Sequence, residues 1–231
     1  MLEARRRITS LSDKTWVFAH IQTDGKGRRG RVWIDPRGNF ACTCVFFPKT
    51  TIDKFALSSF TAALSLYDSL DYFGESKANI SIKWPNDILL NGKKVAGILL
   101  ETIALGQNKA ALSIGFGVNL LSYPETSELE ENAFSPTSFL AETGITLDPI
   151  DLLKNLALNF SKYEGTLKAK GFSELRNILL SRIHKLGDQI VVKTTNETFS
   201  GRFLDINLDG HLILNTGRTT RSIAAADVYF E

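Results

Sequence analysis

What this 231-residue chain has little of narrows its class before any motif is read. No apolar run approaches the roughly 18 to 20 residues that a membrane-crossing helix needs. The basic stretch Arg5 to Arg7 is not followed by the apolar segment of a secretion signal, so the expectation is a cytoplasmic protein without membrane partners. There are two cysteines, Cys42 and Cys44, two apart in a strand-like run with no second pair of Cys or His at metal spacing. That supports neither a disulfide scaffold nor a zinc site. The three histidines, His20, His184 and His211, are scattered and read as structural. The net charge of +2 is too small for the broad basic face that phosphate-driven nucleic-acid binding requires, and DNA is not an expected partner.

What is present is a chain with 43% hydrophobic residues, enough to bury a full core and to hold one large domain plus a small one. Leu2 to Leu11 reads as a helix with a basic flank, and Thr15 to Gln22 as a strand ending at a glycine-rich loop. Val32 to Ile34 reads as a strand that pairs with Phe40 to Phe47 across the Asp35-Pro36-Arg37-Gly38 turn. From Asp53 to about Tyr72 the apolar residues Phe55, Phe60, Ala63, Leu64, Tyr67 and Leu70 recur at helical spacing. Strands are expected at Ile80 to Lys83, Ile88 to Leu90, Val95 to Ile103 and Ala110 to Val118, the last two joined at Gly106-Gln107-Asn108. Ser122 to Ser135 is acidic and reads as a solvated loop. Helices follow at Pro149 to about Lys168 and Phe172 to about Ile183. Beyond Gly187 the pattern becomes five short strands: Gln189 to Thr194, Thr198 to Asp205, His211 to Asn215, Thr219 to Ala224 and Asp227 to Phe230. The expected fold is α+β, with a mixed β-sheet and packed helices over 1–184 and a small β-barrel over 185–231.

Charge is local rather than global. Lys26, Arg28, Arg29 and Arg31 sit among the glycines of Gly25 to Arg31, a composition suited to a small polyanion such as a nucleoside triphosphate. Gly25 to Gly30 matches G-x-G-x-x-G, but Arg31-Val32-Trp33-Ile34-Asp35-Pro36 does not open a helix. The helix N-terminus that would hold a pyrophosphate is therefore missing, and a dinucleotide fold is rejected. Ser81 to Gly97 crowds Lys83, Asp87 and Lys94 between strand-like runs broken by Pro85 and by an Asn91-Gly92 turn. That turn brings Asp87 and Lys94 to one rim of the sheet. A lysine, a carboxylate able to hold magnesium and a loop of arginines are the parts needed to activate a carboxylate with a nucleoside triphosphate.

Four motifs in order make the pattern specific: Gln22-x-x-Gly25-x-Gly27-Arg28-Arg29-Gly30-Arg31-x-Trp33, Lys83-Trp84-Pro85-Asn86-Asp87, Lys94-Val95-Ala96-Gly97-Ile98-Leu99-x-Glu101 and Gly115-x-Gly117-Val118-Asn119. Together they resemble the biotin–protein ligases over essentially the whole chain, with Lys26 a departure where that family usually has arginine. The resemblance implies a catalytic domain of the class II synthetase type and an SH3-like C-terminal barrel that assists ATP use and carrier docking. It implies that biotin and ATP give biotinyl-AMP, and that a lysine of the biotin carboxyl carrier protein of acetyl-CoA carboxylase then attacks the anhydride. By the same resemblance Arg28 and Lys94 are catalytic, while Gln22, Gly25, Lys26, Gly27, Arg28, Lys94 and Gly97 bind biotin. Arg28, Arg31, Trp33, Lys83, Asn86, Asp87 and Asn119 bind ATP, with Trp33 stacking on adenine and Mg2+ held near Asp87. Loss of one positioned charge in such a site costs about 3 to 4 kcal/mol of transition-state stabilisation. Lys94 is read as contributing that charge and little to the core. Lipoate–protein ligases share this fold, and a non-catalytic module sensing biotin or a nucleotide is the alternative of another class. Many bacterial relatives carry an N-terminal DNA-binding domain, for which this chain leaves no room, and a monomer or a homodimer is equally compatible. Family members also bind the ureido group through an Asp-Ser-Thr-Asn-like stretch, and counting back from Gln22 places Met1 at its Asn. The expectation is a longer gene product, with biotin bound about tenfold to thousands-fold more weakly by the present form.

Overall fold

The computed structural model describes residues 1–106, 109–125 and 134–230. Helix α1 (Leu2–Arg6) leads into a 3-10 turn at Ile8–Ser10, so the expected Leu2 to Leu11 helix is split in two. Strands β1 (Thr15–Ala19) and β2 (Phe40–Phe46) follow, then a 3-10 segment at Ile52–Leu57 and helix α2 (Ser58–Gly74). Strands β3 (Ile80–Lys83), β4 (Asp87–Leu90), β5 (Lys93–Gly106) and β6 (Lys109–Val118) complete a six-stranded sheet in the order β1-β2-β6-β5-β4-β3. Every ladder in it is antiparallel, and parallel pairing is confined to isolated bridges such as Ile82–Ile183 and Lys94–Pro136. The expected mixed sheet is thus antiparallel in all its ladders, and β3, β4 and β5 follow one another through short turns with no crossover helix between them.

Alternation along the strands decides where the site is. Trp16, Phe18, Cys44, Phe46, Ile114 and Phe116 belong to the core under the helices. Val17, Ala19, Ala41, Thr43, Leu99, Gly115 and Gly117, from the alternate positions, line a cavity instead. Helix α2 buries Phe60, Ala63, Leu64 and Leu70 and stops where Glu75 turns left-handed at φ 49°. After the short α3 (Phe139–Thr143), α4 (Pro149–Lys170) begins with Asp148 accepting from the amides of Ile150 and Asp151, and with Pro149 in the first turn. The α4 residues Leu152, Leu156, Phe160 and Tyr163 are buried, and α2 and α4 are joined where Tyr163 donates to Asp68 at 2.6 Å. Arg182, just past α5 (Phe172–Leu180), pairs with the same Asp68 at 2.7 Å, and α5 ends three residues short of the expected Ile183.

The chain then forms a second antiparallel sheet from β7 (Gln189–Lys193), β8 (Thr198–Ile206), β9 (Leu212–Asn215), β10 (Thr220–Ile223) and β11 (Asp227–Phe230), ordered β10-β9-β8-β7-β11. The ladders among the described residues make an open sheet, and none joins β10 to β11 to close a barrel. Two of its ties to the rest of the chain lie at α5 and at the turn after β3. Arg176 of α5 bonds to Asp205 and to the Ile206 carbonyl, and the buried Trp84 indole donates to the Gly210 carbonyl at 3.1 Å. Gly210 has φ 81°, and a Cβ there would lie 2.5 Å from the Phe60 ring, so glycine is required on both counts.

Two further expectations change. Val32 to Ile34 does not pair with β2, whose neighbours are β1 and β6. It folds back on its own loop, with a Lys26–Val32 bridge and the Trp33 amide donating to the Gly25 carbonyl at 2.9 Å. The helix expected from Asp53 begins at Ser58, after the 3-10 segment. The turn at Gln107-Asn108 and the 126–133 part of the acidic loop lie outside the described residues.

Candidate active site

A cavity of about 480 Å³ opens on the sheet face away from α2 and α4, bounded by the loop 22–34 on one side and by residues 226–229 on another, with Met1 and Glu3 at its N-terminal wall. It gathers Gln22, Lys26, Gly27, Arg28, Arg31, Trp33, Lys83, Asn86, Asp87, Lys94, Gly97 and Asn119. Gly25 stands behind this wall, where a Cβ would lie 2.1 Å from the Trp33 carbonyl oxygen.

The floor is shaped by what the strands omit. Gly97 of β5 and Gly117 of β6 are cross-strand partners, and together they leave a bare patch on the sheet. The Trp33 indole lies on it: a Cβ would come within 3.2 Å of the ring at Gly97 and 2.6 Å at Gly117. Gly117 is read in the sequence only as part of a motif, without a role in the site, although two glycines two apart within an apolar strand signal a close approach. Two atoms of this wall are buried without a hydrogen-bond partner, the Trp33 Nε1 donor and the Asn119 Oδ1 acceptor. A polar group left so in the interior costs about 1 to 3 kcal/mol unless a ligand supplies the partner. Asn119 is fixed by its amide donating to the Thr137 carbonyl at 3.0 Å.

The rim carries the charge. The buried Asp87 carboxylate accepts from Lys94 through Oδ1 at 2.8 Å and faces Lys83 through Oδ2 at 3.4 Å. Burial pushes Asp87 up, and the two ammonium groups more than reverse it, holding the carboxyl below its usual range. Burial lowers Lys83, with Asp87 opposing. Lys83 also lies 5.3 Å from the Phe134 ring centroid, and Lys94 lies 5.6 Å from that of Trp33. With both oxygens of Asp87 facing ammonium groups, this residue does not fit the expected role of magnesium ligand, and among the described residues no three His, Cys, Asp or Glu side chains gather. Asp87 instead fixes the direction of two lysines whose net charge exceeds its own.

Above them, Arg28 donates to Asn86 Oδ1 and to the Ala226 carbonyl, each at 3.2 Å. Burial lowers the Arg28 pKa, yet a guanidinium keeps its charge at neutral pH. Asn86, expected to touch nucleotide, has both ends of its amide used within the protein, with Nδ2 donating to the Ile98 carbonyl at 2.7 Å. It serves as a bracket for Arg28. Lys26 pairs with Asp24 at 3.3 Å in the exposed part of the loop. Arg29 and Arg31 turn to Asp227 of β11, a residue no sequence motif pointed to.

The chain that builds this cavity has relatives among known proteins. The model of the biotin/lipoate A/B protein ligase family matches residues 1–119, and that of the biotin protein ligase C-terminal domain matches 185–231. The chain is 42% identical to a biotin–[acetyl-CoA-carboxylase] ligase of Paracoccus denitrificans over 99% of its own length and 95% of the relative's. It is 32% identical to the bifunctional ligase/repressor BirA of Bacillus subtilis over 93% of this chain, spanning 65% of that protein. The fold is also that of the biotin protein ligase of Aquifex aeolicus solved with biotin and ATP, at a TM-score of 0.82 and 24% identity, covering 98% of this chain and 93% of that one. By its motifs, its two sheets and these relatives, the chain belongs to the biotin/lipoate A/B protein ligase family.

Proposed function

We propose that this protein is an ATP-dependent biotin–protein ligase. In the first reaction a carboxylate oxygen of biotin attacks the α-phosphorus of ATP, the bond to the β-phosphate oxygen breaks, and biotinyl-AMP and pyrophosphate form. In the second, a lysine amine of a carrier attacks the anhydride carbonyl and AMP leaves. The observation that carries this reading is the convergence of Lys94, Lys83 and Arg28 over an apolar floor: two anions that repel each other need such cations to meet, while an uncharged ring system fits the floor. Lys94 and Arg28 take the catalytic roles, since each lines the cavity and is held there by a neighbour, Asp87 and Asn86 respectively.

Gln22, Gly25, Lys26, Gly27, Arg28, Lys94 and Gly97 form the biotin side of the site, and Arg28, Arg31, Trp33, Lys83 and Asn119 the nucleotide side, where Asn86 and Asp87 hold the cations in place. In that division the unpartnered Asn119 Oδ1 accepts from a ligand N–H. Closure of loop 22–34 keeps water from the anhydride. The carrier is the biotin carboxyl carrier protein of acetyl-CoA carboxylase, the enzyme named for the Paracoccus relative, and the reaction belongs in the cytoplasm, where that enzyme and ATP are met. Residues 1–184 form the catalytic domain and 185–231 a separate C-terminal domain, a division supported by the family match at 185–231. The same match favours biotin over lipoate.

ATP–pyrophosphate exchange tests the reading. Exchange should depend on biotin and be absent with lipoate. Exchange driven by lipoate would assign the protein to the other branch of the family, and none with either acid would make it a binding module.

A further inference from the structure

Two consecutive residues at the start of β11, Ala226 and Asp227, hold most of the arginine loop. Arg29 Nη1 and Arg31 Nη2 approach Asp227 Oδ2 at 2.7 and 2.5 Å, and Arg28 donates to the Ala226 carbonyl at 3.2 Å. The Asp227 side chain is only 12% exposed, whereas those of Arg29 and Arg31 are 35% and 39% exposed, so the acid is the fixed point and the loop the part fastened to it. Its backbone is locked in the ladder with β7, opposite Lys193. The loop needs such a fastening. Arg29 sits at φ 57°, a left-handed conformation that a non-glycine residue adopts only when its surroundings impose it. Around it the loop's own backbone bonds are few, among them Gly27 N–H to the Arg31 carbonyl at 2.8 Å and Arg31 N–H to the Arg28 carbonyl at 3.2 Å.

We propose that Asp227 is a positioning residue of the ligase: by gripping Arg29 and Arg31 it fastens the arginine loop across the cavity mouth, so that Arg28 stays over the site and the reactive adenylate is retained. Asp227 touches no reacting atom and acts through Arg28, which its neighbours leave aimed between Asn86 and the cavity. The second sheet is thereby part of the clamp. This inference rests on the ligase reading for its consequence in adenylate retention, but the fastening itself is a property of the ligand-free chain.

The test uses full-length Asp227→Asn and Asp227→Glu proteins. Trypsin should cut the ligand-free Asp227→Asn protein after Arg28, Arg29 or Arg31 about three- to tenfold faster than the parent, the range for losing two charge-assisted hydrogen bonds to partly exposed arginines. Cleavage after Lys162, Lys168 and Lys170 in α4 should be unchanged. Biotinyl-AMP formed on the enzyme should leave Asp227→Asn faster by a similar factor, and Asp227→Glu, which keeps the charge one methylene farther out, should return both rates toward the parent. Parental loop cleavage in Asp227→Asn would overturn the proposal, as would equal acceleration at the α4 sites or a glutamate protein as sensitive as the asparagine one. A parent that forms no adenylate would refute the ligase reading while leaving the trypsin comparison to judge the fastening.

Discussion

Replacing Lys94 by alanine removes a cation from the reaction and, at the same time, one of the two partners of the buried Asp87 carboxylate. At 2.8 Å and an effective dielectric of about 20, the attraction between Lys94 and Asp87 is roughly 6 kcal/mol before desolvation is subtracted. Removing one partner of a buried pair costs about 3 to 5 kcal/mol, because the remaining charge is left in the interior. Here Lys83 stays 3.4 Å from the other carboxylate oxygen, so about 2 to 3 kcal/mol is expected for Lys94→Ala. The simpler reading of Lys94 as a rim charge with little weight in the fold therefore gives way to a double role. A double-mutant cycle with Asp87→Asn separates the two. Urea unfolding of the parent, both single mutants and the double mutant should give a coupling energy of about 1 to 3 kcal/mol, with the double mutant more stable than the sum of the singles. Biotin-dependent ATP–pyrophosphate exchange should fall about 10²- to 10³-fold in Lys94→Ala and stay low in the double mutant, since restoring the fold does not restore the positive charge. Additive stabilities, or exchange recovered in the double mutant, would refute this reasoning.

Arg28→Gly should keep its fold and lose the adenylate, measured as faster release of biotinyl-AMP and as labelling of bystander lysines on added proteins; retention equal to the parent would remove Arg28 from the clamp. Gly117→Ala should push the indole of Trp33 off its patch and raise the KM for biotin or ATP about tenfold, or about 1.4 kcal/mol, with the sheet intact by circular dichroism. Asp35 has a buried oxygen without a partner, and burial raises its carboxyl from 3.8 to about 6. Because the raised folded-state value means that the native state holds the proton more tightly, stability is lost as pH rises from about 4 to about 6. Asp35→Asn should accordingly melt higher than the parent at pH 7, with the difference vanishing below about pH 4, and equal melting temperatures at both pH values would contradict the assignment.

The sequence made some of this legible and hid the rest for physical reasons. Periodicity located α4 because it buries a single stripe, Leu152 to Tyr163, and it located α2 through its large apolar residues, although Phe60 to Leu66 is buried without interruption because small residues fill the other faces. The start of α2 was misplaced because Ile52–Leu57 carries the same apolar spacing in a 3-10 segment. Val32 and Ile34 look like strand residues, yet Val32 is 80% exposed and the segment pairs with its own loop, a choice set by the glycines on either side of Lys26. The cavity could be read in outline because its cations cluster in short motifs. Asp227 could not: it stands alone after three alanines, about 200 positions from the arginines it holds, and only the docking of the second sheet brings it there. Trp84 was legible as part of a motif but not as an anchor, since its partner is a backbone carbonyl in a turn of the other sheet.

The most direct measurement is intact-mass spectrometry of the apo carrier domain of acetyl-CoA carboxylase after incubation with this protein, ATP and equal concentrations of biotin and lipoate. A single biotinyl group should appear on one lysine, only when ATP is present, and disappear with Lys94→Ala. A lipoyl adduct, or a carrier left unmodified by the parent enzyme, would contradict the assignment.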